Sequence, residues 1–378
     1  MHDPVKLLKE LIALPSVNPA FLAANDPRGG ERRVGEFLAA LAGKAGLEVE
    51  TAEVFPGRAN LFARLRPRGS IKRRVALTPH LDTVGVSTDD QFKPVTKNGR
   101  VYGRGACDTK GSVAVMLAAL VALAVRPTRR PQETEITFIA LVDEENGQSG
   151  SRSLARSGFR ADLAIVGEPT RLKVVTAHKG DLWLQLETRG LAAHGSRPEL
   201  GRNAVHLMAR IVHLLETDYA RALRRRRHPL LRHATVNVGT IAGGRQPNIV
   251  PDRCVIRLDR RTVPGERDPE VKKELLRFIR QHGFSAALLD TKSDEPAPPL
   301  ETDPRLPLVR QFLRCAGQKR PAGVDFFTDA GVLAAAGIPS VVFGPGDIAQ
   351  AHTLDEWVAV RQLERGVALL GKFLADLP

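Results

Sequence analysis

Short apolar segments of this sequence end repeatedly in side chains that can bind metals or move protons. Imidazoles and carboxylates follow four such segments, and a further acidic residue, Asp108, precedes an apolar helical stretch. The residues after the segments are His80 and Asp82, Asp143 to Glu145, Glu168, and His352. Any one of them is as often a solvated loop residue, but carboxylates gathered in one place repel one another and take up protons. A divalent cation removes that repulsion.

The ligand types indicate which cation would be bound. The set combines imidazole with carboxylate and contains no thiolate, which suits zinc and also cobalt or manganese. Five ligands of mixed type suit two ions that share a bridging carboxylate. The cysteines Cys107, Cys254 and Cys315 are scattered without a CxxC pair, so they indicate neither a thiolate site nor a disulfide framework. Cys107 is predicted to be a buried, inert thiol.

The elements that must position these residues alternate between strand and helix. Helical periodicity at 4–14, 30–45 and 112–125 predicts helices that cover a sheet. The apolar segments predict strands buried on both faces of that sheet. Ligands of open α/β sheets bind outside the carboxyl ends of the strands, so these ends should bring the chemical groups together. The predicted strands are 75–79, 136–142, 163–167 and 340–344.

The middle of the chain follows another pattern. Residues 181–189 alternate apolar and polar side chains, which predicts a strand exposed on one face. Helices are predicted at about 202–216 and 268–282, and strands at 234–241 and 253–259. The order of these elements predicts a small α+β domain with an antiparallel sheet and two helices.

The small domain is predicted to be an insertion. It would occupy residues 178–292, and residues 1–177 and 293–378 would form the larger α/β domain, whose sheet is mixed and mostly parallel. The polar, proline-rich residues 291–304 are predicted to be the linker back into the larger domain. A chain of 378 residues with 43% hydrophobic residues is long and apolar enough for two such cores.

Composition argues against membranes and nucleic acids as partners. No apolar run reaches the ~18 residues of a membrane helix, and the N-terminus lacks a signal-peptide core, so a cytoplasmic location is predicted. The net charge is +14, and the dense basic run is Arg224 to Arg227. This run is interpreted as the basic end of a helix, which suits the helix dipole, and neither an aromatic platform nor a zinc finger accompanies it.

Five motifs together give the sequence a family resemblance. HLD at 80–82, GRGACDTKG at 103–111, DEE at 143–145, GEP at 167–169 and AHTLDEW at 351–357 follow one another in order. The set resembles that of the co-catalytic zinc exopeptidases and aminoacylases, which include acetylornithine deacetylase, succinyl-diaminopimelate desuccinylase, aminoacylase and glutamate carboxypeptidase. The resemblance covers nearly the whole chain. It implies a zinc-exopeptidase-like catalytic domain with an inserted lid and dimerisation domain.

The resemblance implies roles for the residues of the larger domain. Asp108 would bridge two metal ions, Zn or Co. His80 and Glu168 would complete one metal site, and Glu145 and His352 the other. Asp82 would hold the imidazole of His80 in orientation. Glu144 would be the general base, beside the metals without binding them.

Further roles are implied for the lid domain and for one turn. His194 in GLAAHGSRP would reach the active site of a partner subunit and stabilise the oxyanion, which implies a homodimer. Asn248 and Arg261 would grip the substrate carboxylate, although the adjacent Arg260 is an alternative to Arg261. Gly344 and Gly346 would offer backbone N–H groups to the same carboxylate. The alternative for this GPG segment is an ordinary tight turn.

The expected reaction is hydrolysis of an amide bond next to a free carboxylate. The segment GPGDIAQAHTLDEWV most resembles acetylornithine deacetylase-type members, so removal of an acetyl group from an amino acid such as ornithine is expected. An N-succinyl-diamino acid, a general N-acyl amino acid, or a dipeptide or peptide substrate of the same family is the alternative. A basic nucleic-acid or scaffold protein with a structural metal site is a third reading. Glu144 and Asp82 argue against it, because a structural site needs no base.

Overall fold

The structure, a computed structural model, describes residues 3–289 and 297–378. Its α-helices are α1 (Pro4–Ile12), α2 (Arg32–Lys44), α3 (Lys110–Ala124), α4 (Ser149–Arg156), α5 (Ala204–Leu214), α6 (Ala220–Arg225), α7 (Asp268–Gln281), α8 (Pro307–Cys315), α9 (Asp329–Ala335) and α10 (Val360–Ala375). Its strands are β1 (Glu48–Phe55), β2 (Arg58–Leu65), β3 (Arg73–Pro79), β4 (Val95–Lys97), β5 (Arg100–Tyr102), β6 (Thr134–Ala140), β7 (Leu163–Gly167), β8 (Val175–His178), β9 (Gly180–Arg189), β10 (Thr235–Gly243), β11 (Arg253–Thr262), β12 (Ala287–Leu289), β13 (Leu300–Glu301), β14 (Ala322–Val324), β15 (Ser340–Val342) and β16 (Trp357–Ala359).

Contacts divide the chain into two compact units. The first unit runs to Thr176 and resumes with Glu301–Gly323 and Thr328–Pro378. The second unit contains Ala177–Leu300, apart from the residues that are not described, together with Val324–Phe327. The sequence gives no boundary signal for this last short segment. Of the predicted linker, residues 291–296 lie outside the described residues.

The first unit is built on a mixed sheet whose central strands are parallel. The strands are ordered β1-β2-β6-β3-β7-β15, and β3 runs parallel to both β6 and β7. The sequence predicted these central strands because they are continuously apolar, and every residue of β6 and β7 is buried. The helix α3 packs against α1 and α10, and all but one of its residues are buried. The predicted α/β fold is confirmed.

Two features of the first unit were not predicted. The hairpin of β1 and β2 adds antiparallel strands to one edge of the sheet. A small separate sheet has the order β16-β5-β4, and its pairing joins Trp357 to Tyr102. Both β4 and β5 are only three residues long, which is too short for an alternating pattern to be read from the sequence. The small sheet flanks two loops that carry predicted metal ligands. The loop with Asp108 follows β5, and the loop with His352 precedes β16.

The second unit has its own antiparallel sheet and its own core. The strands are ordered β10-β11-β9-β12, and each neighbouring pair is antiparallel. The core packs one face of the sheet against α5 and α7, with Leu186, Met208, Ile256 and Leu275 fully buried. In β9, which covers the strand predicted to be half-exposed, Trp183 is exposed between the buried Leu182 and Leu184, and exposure also alternates along β11.

The helices of both units are those of a globular protein. The helix α10 has 16 residues and α3 has 15, both shorter than the ~20 residues that span a bilayer. Among residues 3–289 and 297–378, no helix combines the length and the apolar character that a membrane crossing requires.

Candidate metal centre

Parallel strand pairing brings the predicted ligands to one end of the sheet. Because β3 lies between β6 and β7, the residues that follow these strands are neighbours. His80 continues β3 and bridges to Leu141 beyond the end of β6. Glu144 and Glu145 then follow β6, and Glu168 follows β7 directly. The strand ends therefore meet as the sequence predicted.

Loops rather than strands carry the remaining predicted ligands. Asp108 lies in the connection from β5 to α3, and His352 lies in the connection from β15 to β16. His352 has a positive φ of 61°, a conformation that few residues other than glycine adopt. All the residues predicted to bind metal belong to the first unit.

Asp108 lies between the two imidazoles. Its Oδ1 is 3.1 Å from His80 Nε2, and its Oδ2 is 3.3 Å from His352 Nε2. Glu168 Oε1 is 3.6 Å from His80 Nε2, and Glu145 Oε2 is 3.1 Å from His352 Nε2. The carboxylate of Asp108 thus faces one group of side chains with each oxygen, as a bridging ligand would.

Glu144 lies on the His80 side of this cluster. Its Oε2 is 4.0 Å from His80 Nε2, and its side chain is about 10% exposed, so water can reach it. Burial raises the pKa of Glu144 well above its usual value, and the negative charges of Glu168, Asp329 and Glu145 raise it further. These effects favour the protonated carboxyl group unless a cation beside it offsets the negative charge of its neighbours.

Burial, hydrogen bonds and neighbouring charges together set the pKa values of the other groups. Burial and the charge of Asp108 raise the pKa of Glu145 to about 7, and burial raises the pKa of Glu168 as well. Burial opposes ionisation of Asp108 too, but hydrogen bonds from His352 and His80 hold its pKa well below the usual value. The hydrogen bonds that His352 donates to Asp108 and Glu145 raise the pKa of its imidazole to about 10. In the absence of a cation, protons on the imidazoles supply the positive charge.

The side chains fit a metal ion. One ligand atom from each of His80, Glu144 and Glu168 lies within 4.8 Å of the others, and the same holds for His80, Asp108 and Glu145. Glu145 Oε1 is buried and has no hydrogen-bond partner among the described residues. A buried, unpartnered carboxylate oxygen is costly unless a cation or a donor satisfies it. Imidazole and carboxylate without thiolate suit zinc and related divalent ions.

Asp82 makes contacts beyond the one that the sequence suggested. Its backbone oxygen, rather than its carboxylate, is the closer partner of His80 Nδ1, at 3.0 Å against 3.4 Å for Oδ1. The carboxylate instead accepts hydrogen bonds from the backbone N–H groups of Glu144 and Glu145, at 3.0 and 3.1 Å. Asp82 thereby fixes both the imidazole and the two glutamates relative to each other.

Sequence reasoning missed the buried residues that support this arrangement. Asn18 is fully buried, and its Nδ2 donates to Asp82 at 2.7 Å and to Asp143 at 2.9 Å. Asp143 has a positive φ of 67° and also accepts from Arg58 at 3.1 Å and Ser149 at 2.6 Å. The only signal for Asn18 in the sequence was a polar residue before a proline, which any turn can show.

Asp329 is a buried acidic residue that the sequence analysis did not single out. It begins α9, is 1% exposed, and accepts a hydrogen bond from Ser151 at 2.5 Å. Burial raises its pKa to about 6. Its charge acts on both Glu144 and Glu168, so it belongs to the same electrostatic cluster.

The residues predicted for the lid lie in the second unit, where the segment that carries His194 pairs with the segment that carries Asn248. His194 bridges to Ile249, and Gly195 N donates to Asn248 O at 2.7 Å. This pairing brings His194 close to Asn248, although 54 residues separate them in the sequence (248 − 194). Both side chains belong to exposed residues. A cavity of about 550 Å³ lies beside them, lined by Gly195, Ile249 and the 243–251 loop among others.

The two adjacent arginines of β11 differ in what they contact. Arg260 is fully buried and pairs with Glu266 at 2.6 Å. Arg261 points to the other side of the strand, is 27% exposed, and contacts Asp259 at 2.9 Å and the ring of Phe327. Arg260 is thus buried in an ion pair within the second unit, whereas a ligand can reach the side chain of Arg261. Its role in substrate binding stays a prediction.

Gly344 and Gly346 have local reasons to be glycine. Gly344 N donates to Thr170 Oγ1 at 3.2 Å, and Gly346 N donates to Gln362 Oε1 at 2.6 Å. A Cβ at Gly344 would lie 2.3 Å from Ser112 Oγ and 2.5 Å from Glu168 O. These contacts favour the tight-turn alternative, and donation to a substrate carboxylate stays a prediction. Cys107 is fully buried, and burial raises the pKa of its thiol.

An α/β sheet that presents imidazoles and carboxylates at its strand ends, with an acidic residue beside them, is typical of metal-dependent hydrolases. Comparison with known proteins agrees with this class. The profile described as Peptidase family M20/M25/M40 matches residues 76–376. The chain belongs to this family.

Individual relatives and solved structures match over most of the chain. An acetylornithine deacetylase from Myxococcus xanthus is 36% identical over 331 residues, which cover 84% of each chain. One from Proteus mirabilis (strain HI4320) is 31% identical and covers 98% of this chain and 96% of its own. Among solved structures, a tripeptidase from Staphylococcus aureus covers 99% of this chain and 97% of its own, with a TM-score of 0.77 at 20% identity.

The acidic cluster predicts how the metal-free protein should respond to pH. Glu145, Asp329 and His352 all have raised pKa values in the folded state, so folding retains protons that the unfolded chain releases as the pH rises. With chelator present, the thermal midpoint should therefore fall between about pH 5 and about pH 7, below the range in which the lowered pKa of buried Lys110 acts in the opposite direction. Scanning calorimetry at several pH values measures this slope.

Zinc provides the control for the pH experiment. A bound cation takes the place of the retained protons, so zinc should raise the midpoint most at the alkaline end of the range. A midpoint in chelator that stays level or rises with pH, or a zinc effect that is largest at acid pH, contradicts this account of the cluster.

Proposed function

We propose that this protein uses two divalent metal ions, zinc or cobalt, to hydrolyse the amide bond of an N-acyl amino acid, and that N-acetylornithine is its substrate. The observation that carries the reaction type is the position of Asp108 between two imidazoles, each with a further glutamate at its side. His80 and Glu168 would hold one ion, Glu145 and His352 the other, and Asp108 both. When bound, such ions polarise a carbonyl group and lower the pKa of water.

Glu144 supplies the proton transfers of the reaction. Its carboxylate accepts a proton from the water that attacks the carbonyl carbon, and later delivers it to the amine nitrogen that leaves. The carbon–nitrogen bond breaks, and acetate and the free amine are the products. Burial beside the predicted metal ligands places the carboxylate where it can reach the attacking water. Asp82 fixes the base through the Glu144 N–H group.

The substrate is inferred from the relatives. The proteins from Myxococcus xanthus and Proteus mirabilis that cover 84% and 98% of this chain both carry the name acetylornithine deacetylase. The tripeptidase from Staphylococcus aureus, at 20% identity, supports the fold alone. N-succinyl-diamino acids, other N-acyl amino acids and dipeptides are the alternatives within the family, and a panel of substrates separates them.

The second unit is proposed to complete the site and to form a homodimer. His194 from a second copy of the chain would donate to the oxyanion, and Asn248 with Arg261 would bind the substrate carboxylate. The exposure of His194 and Asn248 and the accessible position of Arg261 support these roles. At the edge of the second unit's sheet, β10 leaves Ile241 54% exposed, which supports a partner at this edge.

A cytoplasmic location is also part of the proposal. Cys107, Cys254 and Cys315 are buried and free, as expected in a reducing compartment. Small N-acylated amino acids are the proposed partners, and no nucleic acid is among them. The positive net charge of +14 would favour anionic substrates near the surface.

A substrate panel tests the proposed reaction. Zinc- or cobalt-loaded protein should release amine from N-acetylornithine faster than from N-acetylmethionine, N-succinyl-diaminopimelate and a glycyl dipeptide, and a chelator should abolish the release. Amine-specific fluorescence measures the rates. Faster release from another member of the panel replaces the substrate, and release that survives metal removal contradicts the mechanism.

Replacement of the proposed base separates catalysis from metal binding. Glu144→Gln should keep both ions but lower kcat by about 10²–10⁴-fold or more, because proton transfer is lost. The matched variant Glu145→Gln should instead lose metal, since its oxygen would be a ligand. Metal content by atomic emission and turnover by the amine assay distinguish the two. Normal turnover of Glu144→Gln would place the base elsewhere.

Mixed dimers test the composite site. Glu144→Gln and His194→Ala should each be nearly inactive alone. Refolded together, they should recover roughly a quarter of wild-type activity, because half the dimers are mixed and one of their two sites is intact. Co-expression with two affinity tags isolates the mixed dimers. If these stay inactive while wild-type mixed with Glu144→Gln is active, His194 does not act across a dimer.

A further inference from the structure

The loop that carries Asp108 lies outside the helices and strands, so its backbone N–H groups are not paired in a ladder or a helix. It connects β5 to α3 and contains Gly103 and Gly105, both with positive φ. At Gly105 a Cβ would lie 2.9 Å from the Lys110 side chain and 3.0 Å from Thr83, so the loop is tightly enclosed where it turns. Its N–H groups must find acceptors outside a helix or strand, because buried backbone groups are costly when unpaired.

One carboxylate supplies these acceptors. Glu356 Oε1 accepts from the N–H groups of Cys107 and Asp108 at 2.8 and 2.9 Å. Its Oε2 accepts from Gly105 N at 2.9 Å and from Arg104 Nη1 at 2.7 Å. The side chain of Glu356 is 1% exposed and that of Arg104 is 4% exposed. Both oxygens of a buried carboxylate are therefore used to hold four donors of a single loop.

Glu356 also belongs to the segment that carries His352. It comes four residues after that imidazole and directly before β16, which pairs with β5 ahead of the Asp108 loop. Gly103 N donates to the backbone oxygen of Glu356 at 3.0 Å, which adds a fifth tie. At its other end the loop is fixed to the β7 strand, because Thr109 Oγ1 donates to Gly167 O at 2.6 Å.

We propose that Glu356 is the positioning residue of the metal centre. Its carboxylate locks the Asp108 loop to the His352 segment, so that the shared ligand and the imidazole on one side of it are held in a single arrangement before metal binds. The inference rests on the proposed function for the presence of metal at Asp108. Residues that hold ligands in place typically contribute about ten- to a hundred-fold to metal affinity.

Glutamine is the sharpest replacement because it has the same shape. The Glu356→Gln side chain presents an NH₂ group to N–H donors or to Arg104, so at least two of the four contacts are lost. Glu135 provides the matched control. It is a buried glutamate at the opposite end of β6 from Glu144, with Arg74 and Arg66 at 3.4 and 3.7 Å. Glu135→Gln removes a comparable buried charge without touching a ligand segment.

Zinc titration of the metal-free, full-length protein tests the proposal without any substrate. Glu356→Gln should bind zinc about ten- to a hundred-fold more weakly than wild type, and Glu135→Gln should bind it normally. Turnover of Glu356→Gln should rise toward wild type as excess zinc is added, which a purely structural defect would not show. Calorimetry gives the affinities, and the thermal midpoint of the metal-free form reports folding. Glu356→Asp keeps the charge but is one methylene shorter, and should give an intermediate loss.

The outcomes separate this proposal from the proposed function. Wild-type zinc affinity in Glu356→Gln overturns the positioning role, as does an equal loss of affinity in Glu135→Gln. If Glu356→Gln does not fold, Glu356→Asp decides, and unchanged zinc affinity in that variant overturns the role. Wild-type protein that binds no zinc overturns the metal centre itself and the positioning role with it.

Discussion

The arrangement of the first unit depends on how much negative charge it buries at one end of its sheet. Asp82, Asp108, Asp143, Glu168 and Asp329 are all less than 10% exposed, and Glu144 and Glu145 lie among them. Carboxylates buried this close together cannot all ionise unless cations or N–H donors offset their charge. Where such groups are missing, some of the carboxylates keep a proton. Folding therefore has to bring compensating groups to the same place, and their positions determine which acids stay charged.

The buried carboxylates fall into two groups, according to whether hydrogen-bond donors compensate their charge. Asp82 and Glu356 receive backbone N–H donors, and Asp143 receives Arg58 together with side-chain donors, so these carboxylates hold loops in place. Glu145 retains a buried oxygen without a donor in the described part of the chain, and Glu168 faces an imidazole. The second group is short of donors, and a cation would supply the missing positive charge. The same type of side chain would thus serve as a scaffold or as a ligand according to its supply of N–H groups.

Part of this arrangement can be read from the sequence. Apolar segments such as 163–167 predict strands, and parallel pairing then requires that the residues after them meet, which is how His80 and Glu168 could be placed together. The supporting residues could not be found this way. Asn18 contacts Asp143 across 125 residues, and Glu356 contacts Asp108 across 248. Such contacts depend on how loops pack in three dimensions and leave no local periodicity. The β1–β2 hairpin was missed for a related reason, because β1 is largely exposed and lacks an apolar pattern.

The predicted metal ligands and the predicted substrate-binding residues of the lid lie in different units of the chain. Each residue that would bind metal lies in the first unit, whose loops are fixed by buried charged contacts that tolerate little change. His194, Asn248 and Arg261 lie in the second unit, on exposed segments or on the open face of a sheet. Changes there alter exposed side chains and leave the acidic cluster intact. Under the proposed function, substitutions at these three positions would alter contacts to the substrate while the predicted metal ligands of the first unit stay unchanged.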